Sequence, residues 1–478
     1  MHTQAVNTAD ALRPVVCVDL DGTLIHGDVL WESALALVRD RPVALVWLVV
    51  WALKGRAYLK RQVARHLPVD AKQLPYRADV VKLIEQYRVE GRTLVLATAS
   101  DEVNAQRVAQ HLGLFSRVLA SDGTTNLSGS VKADLLVSEY GVGGFDYLGN
   151  GSVDMPVWKA AGRAIVVGAD SALSRGVSRL VPVHLVLAPA RRGLPALVRA
   201  MRPYQWVKNL LVFLPLLTAH ALLDPAAALP AIVAFGSFCF CASAIYLAND
   251  LLDIEADRAH ARKRHRPIAA GELDVPVAIA ASTILALCGL VSALLVSAVL
   301  AVVLAIYAAV TMGYSLVFKR RPVLDVFVLA GLYVLRIVAG GVASGIELST
   351  WLLAFALFLF LSLAFIKRHA EVSAASGDIP GRGYSSDDRS WLQQVGLICS
   401  MMAVLVLALY VASPEVSVLY SRPRILWLLC PVLLFWLTDL WFRASRRSLV
   451  DDPILVAVRD PLSYVVAALS AVVLFAAT

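Results

Sequence analysis

From about Val207 to Thr478 the chain is a succession of apolar blocks, each about as long as a membrane-spanning helix. In a bilayer core only a helix or a closed barrel satisfies its own backbone polar groups. Nine candidate spans follow, near 207–223, 228–251, 275–297, 298–317, 323–343, 350–366, 393–413, 424–442 and 460–478. Before them, strands, turns and charged helices alternate. The expected organisation is therefore a water-exposed α/β domain over 1–190, a connecting segment over 191–206, and an all-α membrane domain over 207–478.

The loops assign an orientation. Basic residues cluster after every second span: Arg258 to Arg266, then Lys319-Arg320-Arg321, then Lys367 and Arg368 with Arg382 and Arg389, then Arg443, Arg446, Arg447 and Arg459. The intervening loops are short and nearly free of Lys and Arg, apart from Arg422 and Arg424. The basic loops are read as cytoplasmic, with the N-terminus inside and the C-terminus outside. The formal net charge of +8 suits an anionic leaflet. Basic groups confined to short loops between spans argue against a nucleic-acid partner. The first residues carry no apolar signal-peptide core, so the first domain is expected in the cytoplasm. The six cysteines show no metal-ligand spacing and are expected in cores: Cys17 in a strand, and Cys239, Cys241, Cys288, Cys399 and Cys430 in apolar runs.

The second span ends in Asn249-Asp250-Leu-Leu-Asp253-Ile-Glu-Ala-Asp257. On a continuous helix, positions 250, 253 and 257 share one face, with Asn249 beside them. Clustered carboxylates at a membrane edge mark a functional site. They need a cation, and Mg2+ bound by a few carboxylates plus substrate phosphate fits. The basic run containing Arg262, Lys263 and Arg266 follows at once, ending Arg266-Pro-Ile-Ala-Ala-Gly271. Carboxylates for metal beside cations for phosphate describe a Mg2+-diphosphate site.

Other polar islands recur: Arg202-Pro-Tyr-Gln205-Trp-Val-Lys208-Asn209, Tyr314-Ser-Leu-Val-Phe-Lys319, and Lys367-Arg368-His-Ala-Glu371. Asp378, Asp451-Asp452-Pro453 and Arg459-Asp460-Pro461 continue the series. Arg336 lies inside the fifth span, where a guanidinium needs a partner. NDxxDxxxD followed by RPIAxG resembles the UbiA-type intramembrane prenyltransferase superfamily. The ordered set of RPxQWxKN, NDxxDxxxD, YSxxxK, the Arg336-Ile-Val-Ala-Gly-Gly stretch, KRxxE and DPxxxxxRD, over roughly 196–478, is similar to decaprenyl-phosphate phosphoribosyltransferases.

That resemblance implies Mg2+-dependent transfer of a phosphoribosyl group from phosphoribosyl diphosphate to a polyprenyl phosphate. Asn249, Asp250, Asp253 and Asp257 would hold the metal. Arg202, Gln205, Lys208, Arg262, Lys263, Arg266, Tyr314, Lys319, Arg336, Lys367, Arg368 and Glu371 would bind substrate. Typical prenyl-diphosphate users carry a second Asp-rich motif after the sixth span. Here that place is net basic, which suits an additional phosphate. A prenyl transfer to an aromatic or other small acceptor is the alternative. A transporter with a regulatory soluble domain is a third reading, disfavoured because the acidic motif ends a span rather than breaking one.

In the first domain, Val15 to Val18 reads as a buried strand followed by Asp19-Leu-Asp21-Gly22-Thr23-Leu24. DxDGTL at a strand end resembles the haloacid-dehalogenase-like (HAD) phosphohydrolases, a Rossmann-like α/β fold with a helical cap. The resemblance implies Asp19 as nucleophile on phosphorus and Asp21 as general acid/base. It implies Thr98 and Lys132 as phosphate-binding groups. It implies Mg2+ held by Asp19, Asp21, Asn150 and Asp154. The family usually has Asp where Asn150 stands, and Asp154 is expected to compensate. The cap is expected over about 28–90. It contains Val43-Ala-Leu-Val-Trp-Leu-Val-Val-Trp-Ala-Leu53, too short to span and read as resting on the membrane or on the second domain, with a core helix as the alternative. Joined in one chain, the HAD half would remove the 5-phosphate of the lipid-linked product; a degenerate, regulatory HAD domain is the alternative. The localisation implied is the bacterial inner membrane.

Overall fold

The computed structural model describes residues 15–168, 171–187, 193–374, 383–414, 416, 420–446 and 460–477. The described residues of Met1–Met201 and Tyr246–Ala281 form one compact unit; those of Arg202–Ile245 and Ser282–Thr478 form a second.

The first unit is built on β1 (Val15–Val18), β2 (Thr93–Asp101), β3 (Arg117–Ser121), β4 (Phe145–Gly149), β5 (Arg163–Val167) and β6 (Val183–Leu187). All pairings are parallel, in the order β3-β2-β1-β4-β5-β6. The Val-Val-Cys-Val run of β1 is apolar on both sides because both faces are covered. Val16 and Val18 join one apolar layer with Ile84, Leu94 and Val108. Cys17 joins the other, with Leu136, Tyr147 and Trp158. That is the two-residue alternation of a strand. The strand order reverses at β1, between β2 and β4, and ligands of open α/β sheets bind outside the carboxyl ends at such a point. Asp19 follows β1 directly.

The expected cap is helical: α1 (Val29–Asp40), α2 (Ala44–Leu53) and α3 (Arg56–His66), followed by α4 (Ala78–Val89) leading into β2. Further helices are α5 (Glu102–Leu112), α6 (Gly129–Tyr140), α7 (Met155–Ala160), α8 (Ser171–Ser178) and α9 (Leu194–Met201). Asp28 caps α1, its side chain accepting from the amides of Leu30 and Trp31.

The membrane half consists of α10 (Leu214–Thr218), α11 (Pro225–Leu252), α12 (Ile254–Ala259), α13 (Val275–Val296), α14 (Ala298–Leu316), α15 (Leu324–Ser344), α16 (Thr350–Ala374), α17 (Asp388–Ala412), α18 (Leu429–Ser445) and α19 (Pro461–Ala477). Seven helical stretches among the described residues are long and apolar enough to cross a membrane, against nine expected. The chain is an integral membrane protein on this ground. The expected first span, 207–223, is not one long helix. Pro203–Phe213 winds as a 3-10 helix and only Leu214–Thr218 is α-helical. Pro215 has no amide to donate, so a regular α-helix cannot run through it unchanged. The expected ninth is the 17-residue α19, roughly 25 Å long against a hydrocarbon core of about 30 Å.

The Gly-Gly pair of α15 has a packing reason. A Cβ on Gly340 would lie 2.0 Å from the Val212 carbonyl oxygen, so only glycine lets the 3-10 segment approach this helix. Four cysteines are buried as expected; Cys288 is exposed and Cys430 partly so, because both lie on outward faces of their helices.

Candidate functional site

At the carboxyl end of β1 the chain turns tightly through Leu20–Leu24, with Gly22 at φ 73°. A Cβ on Gly22 would lie 2.2 Å from the Asn150 amide nitrogen, so Asn150 lies directly over this turn. Lys132, near the start of α6, donates to Asp19 Oδ1 at 2.8 Å and to the Tyr147 hydroxyl at 2.9 Å. Its ammonium is 3.9 Å from Asp154. Thr98 is fully buried on β2 and accepts from the Ser100 amide at 3.0 Å. The structure thus brings Asp19, Lys132 and Asp154 together.

Asp21 accepts from the Ser100 hydroxyl at 2.6 Å and from the Val29 amide at 2.9 Å. Burial, reinforced by the Asp28 carboxylate, pushes its carboxyl up to about 7. A carboxyl that holds its proton near neutrality can protonate a leaving group. Burial raises Asp19 as well, with the Lys132 ammonium pulling the other way. Sequence reading missed Ser100 and Lys60. Lys60 comes from the cap and donates to the Ala99 carbonyl at 2.6 Å and to Asn126 Oδ1 at 2.8 Å. A lysine on a cap helix carries no local signal of such a role.

Asp154 is hydrogen-bonded through both oxygens. Its Oδ1 accepts from the Tyr147 hydroxyl at 2.9 Å, and its Oδ2 from the amides of Asn150 and Gly151 at 3.1 and 3.2 Å. It shapes the turn after β4, and its Oδ1, which accepts a single hydrogen bond, keeps a lone pair. Asn150 Oδ1 accepts from the Thr23 hydroxyl at 3.2 Å. The donors here are hard oxygens, which fits Mg2+, with one negative charge fewer than an Asp at 150 would supply.

The acidic motif crosses a helix break. Helix α11 ends at Leu252, Asp253 stands at the break, and α12 resumes at Ile254. Backbone bonds from Asp253 to Asn249 and from Asp257 to Asp253 carry the winding across. Asp250 and Asp257 are buried and converge on Arg266, at 3.1 and 2.6 Å; Lys263 is 3.9 Å from Asp257. Asp253 and Asn249 are half-buried. Arg262 is exposed. Burial raises the Asp257 carboxyl, opposed by Arg266.

Among the described residues no group of three or more His, Cys, Asp or Glu side chains is set to hold a metal ion by itself. Mg2+ characteristically takes one or two carboxylates plus substrate phosphate and water. The Asp250–Asp257 pair, already closed on a cationic group, fits that mode. Arg258 turns the other way: its guanidinium meets both Glu32 oxygens at 2.8 and 2.9 Å, and its Nε donates to the Ala269 carbonyl at 2.9 Å.

In the second unit, the partner that Arg336 requires is found. Its Nε donates to Asn209 Oδ1 at 2.8 Å and its other nitrogens to the Tyr307 hydroxyl at 2.9 Å and the Leu332 carbonyl at 2.5 Å. It also lies over the Tyr307 and Tyr333 rings. Asn209 belongs to the RPxQWxKN run but was not singled out from the sequence.

Arg368 is a correction to the expected phosphate-facing role. It is fully buried, and its three nitrogens donate to Asp325 Oδ2 (2.5 Å), Glu371 Oε2 and the Tyr314 hydroxyl (2.6 Å). Asp325 Oδ1 accepts from the Tyr384 hydroxyl at 2.7 Å. Asp325, unread in the sequence, is an aspartate in the first turn of an apolar helix, and that oddity was the available signal. Lys367, Lys319, Gln205 and Arg202 are half-buried; Arg202 opens the 3-10 segment at φ 54°. Lys208 is among the residues lining an apolar cleft of about 520 Å3, with Leu211, Leu214, Phe355, Leu359, Phe360 and Trp436. Asp378, Arg382, Arg447, Asp451, Asp452 and Arg459 lie outside the described residues.

A multispan helical domain whose second span ends in an arginine-clamped acidic motif is thus joined to a HAD-like sheet with the DxDGTL turn at its switch point. The chain belongs to the UbiA prenyltransferase family, whose model matches residues 210–456. An uncharacterized protein, y4nM, of Sinorhizobium fredii is 36% identical over 469 residues, 97% of this chain and 90% of that protein. The decaprenyl-phosphate phosphoribosyltransferase of Corynebacterium glutamicum is 43% identical over 188 residues, 38% of this chain and 57% of the relative. Among solved structures, a UbiA homolog from Archaeoglobus fulgidus bound to GPP and Mg2+ is 18% identical, over 58% of this chain and 99% of that one, with a TM-score of 0.46.

Proposed function

We propose that the membrane half transfers a phosphoribosyl group from phosphoribosyl diphosphate to a polyprenyl phosphate, and that the HAD half removes the 5-phosphate of the lipid-linked product, on the cytoplasmic side of a bacterial inner membrane. The observation that carries the choice of donor is the Asp325–Arg368–Glu371 network. After the sixth expected span, where a prenyl-diphosphate user would place its second acidic clamp, the one carboxylate of the KRxxE run, Glu371, is engaged by buried Arg368, which also holds Asp325 from the start of α15. The similarity to a decaprenyl-phosphate phosphoribosyltransferase supports the same choice.

In this reading Asp250, Asp253 and Asp257, with Asn249, hold Mg2+, which when bound supplies charge neutralisation of the donor's diphosphate. Lys263 and Arg266 add cationic charge to the departing diphosphate. The acceptor's phosphate oxygen forms the new bond to the ribose C1 as the bond from C1 to the diphosphate oxygen breaks. The nucleophile is already anionic, so no strong general base is required. The apolar cleft with Lys208 in its lining has the chemistry of a polyprenyl chain ending in phosphate.

In the HAD half, Asp19 attacks phosphorus while Lys132 and Thr98 hold the phosphate. Asp21 gives its proton to the leaving oxygen and then takes one from the water that cleaves the aspartyl phosphate.

The test is purified protein in nanodiscs with Mg2+, labelled phosphoribosyl diphosphate and polyprenyl phosphate, read by lipid mass spectrometry. The expected product is a polyprenyl-phosphoryl-ribose, phosphorylated in Asp19→Asn and dephosphorylated in wild type. No labelled lipid, with turnover of a prenyl diphosphate and an aromatic acceptor instead, would establish the alternative.

A further inference from the structure

We propose that α2 of the HAD cap is an interfacial membrane helix, seated by its aliphatic face in the boundary between headgroups and acyl chains of an anionic leaflet. The helix has two distinct faces. Ala44 is buried, Trp47, Leu48 and Trp51 are half-buried, and the Trp47 and Trp51 rings pack against His66 of α3 at 6.0 and 4.9 Å. That i, i+3, i+4, i+7 stripe fixes the helix to the cap. Away from it, Val43, Leu45, Val46, Val49, Val50 and Leu53 are exposed, Val46 by 62% and Leu53 by 84%. These six large aliphatic side chains form an uninterrupted outward face without one polar group. A water-facing surface does not ordinarily carry such a patch.

Length and charge identify what covers it. Ten residues make a helix of roughly 15 Å, too short to cross a core of about 30 Å but suited to lying in its surface. Arg41 precedes the helix, and Lys54 and Arg56 follow it, all exposed. Asp40, the acid nearby, is paired with Arg39. Cations at both ends of an aliphatic face match anionic headgroups around an acyl boundary, whereas a protein partner would be fixed in register by polar groups that this face lacks. Seven candidate spans lie among the described residues of the same chain, so a bilayer is always within reach. This seating would present the cap at the level of lipid headgroups, where a lipid-linked phosphate ester lies. That consequence rests on the phosphatase reading; the surface does not.

The test uses the full chain with Cys288→Ser and Cys430→Ser, which removes the two cysteines that are not buried. Nitroxide labels are placed singly at Val46→Cys, Val50→Cys and Leu53→Cys, with Glu85→Cys on the exposed side of α4 as the aqueous reference. The protein is studied in nanodiscs containing phosphatidylglycerol. The ratio of oxygen to nickel-chelate collision should be several-fold higher at the three α2 positions than at position 85. Equal ratios at all four positions would overturn the seating, and so would α2 labels shielded from both reagents, as under protein. In phosphatidylcholine nanodiscs the α2 ratios should fall; unchanged ratios would overturn the anionic requirement. The readout is independent of either reaction, so failure of the proposed activity leaves it intact.

Discussion

Glu32 on the first cap helix and Arg258 on α12 are 226 positions apart, yet they meet in a two-point ion pair with both side chains nearly buried. Arg258 follows Asp257 directly and also holds the Ala269 carbonyl of the RPIAAG loop. The pair therefore braces the backbone that presents Asp257 and Arg266 to one another. Leaving one member of such a pair unpartnered costs about 3 kcal/mol or more. Glu32→Ala should lower the thermal unfolding temperature and reduce transferase turnover at least about tenfold. The double variant Glu32→Ala/Arg258→Ala should be no worse than Arg258→Ala alone. Additive losses in that cycle would show that the two residues act separately.

Asp250 and Asp257 share Arg266, so removing either carboxylate leaves the arginine with one partner and, in the proposed reaction, takes away a metal ligand. Asp250→Ala and Asp257→Ala should each lower formation of the lipid-linked product by more than about a hundredfold, and chelation of Mg2+ should do the same in wild type. Asp253→Ala, which removes a half-exposed carboxylate outside the Arg266 clamp, should cost less. Single-turnover assays with labelled donor would rank the three.

The Asp325–Arg368 pair is wholly buried. Asp325→Leu or Arg368→Leu alone strands a charge and should destabilise by about 3–5 kcal/mol, visible as a lower melting temperature in detergent. The double variant should recover most of that loss. If Arg368 instead served the substrate directly, Arg368→Leu would melt normally and only the Michaelis constant would rise.

Asn150 over the Gly22 turn leaves the HAD site one charge short. Asn150→Asp should tighten Mg2+ binding about tenfold, read as the metal concentration for half-maximal phosphate release. Asp19→Asn should abolish release, and Asp154→Asn should slow it by loosening the Asn150–Gly151 turn. An unaltered metal dependence in Asn150→Asp would show that this side chain does not face the ion.

Local chemistry made much of this protein legible. Apolar blocks of fixed length predict spans because a bilayer permits little else. DxDGTL predicts a phosphate site because two carboxylates two residues apart at a strand end have few other uses. The Asp-rich run similarly predicts a cation site. What local spacing cannot encode is which distant groups meet. Arg336 announced that it needed a partner, but Asn209 was chosen by the 3-10 segment that Gly340 admits against α15. Arg368 read as a phosphate ligand until Asp325 and Tyr384 were brought to it. Asp154 read as a metal ligand, and only the fold shows Tyr147 and two backbone amides as its partners. The sequence by itself determined the two-part architecture and the expected chemistry of each site. Tertiary packing decided which charges are neutralised inside the protein and which remain for substrate, because that balance depends on burial and on partners far away in the chain.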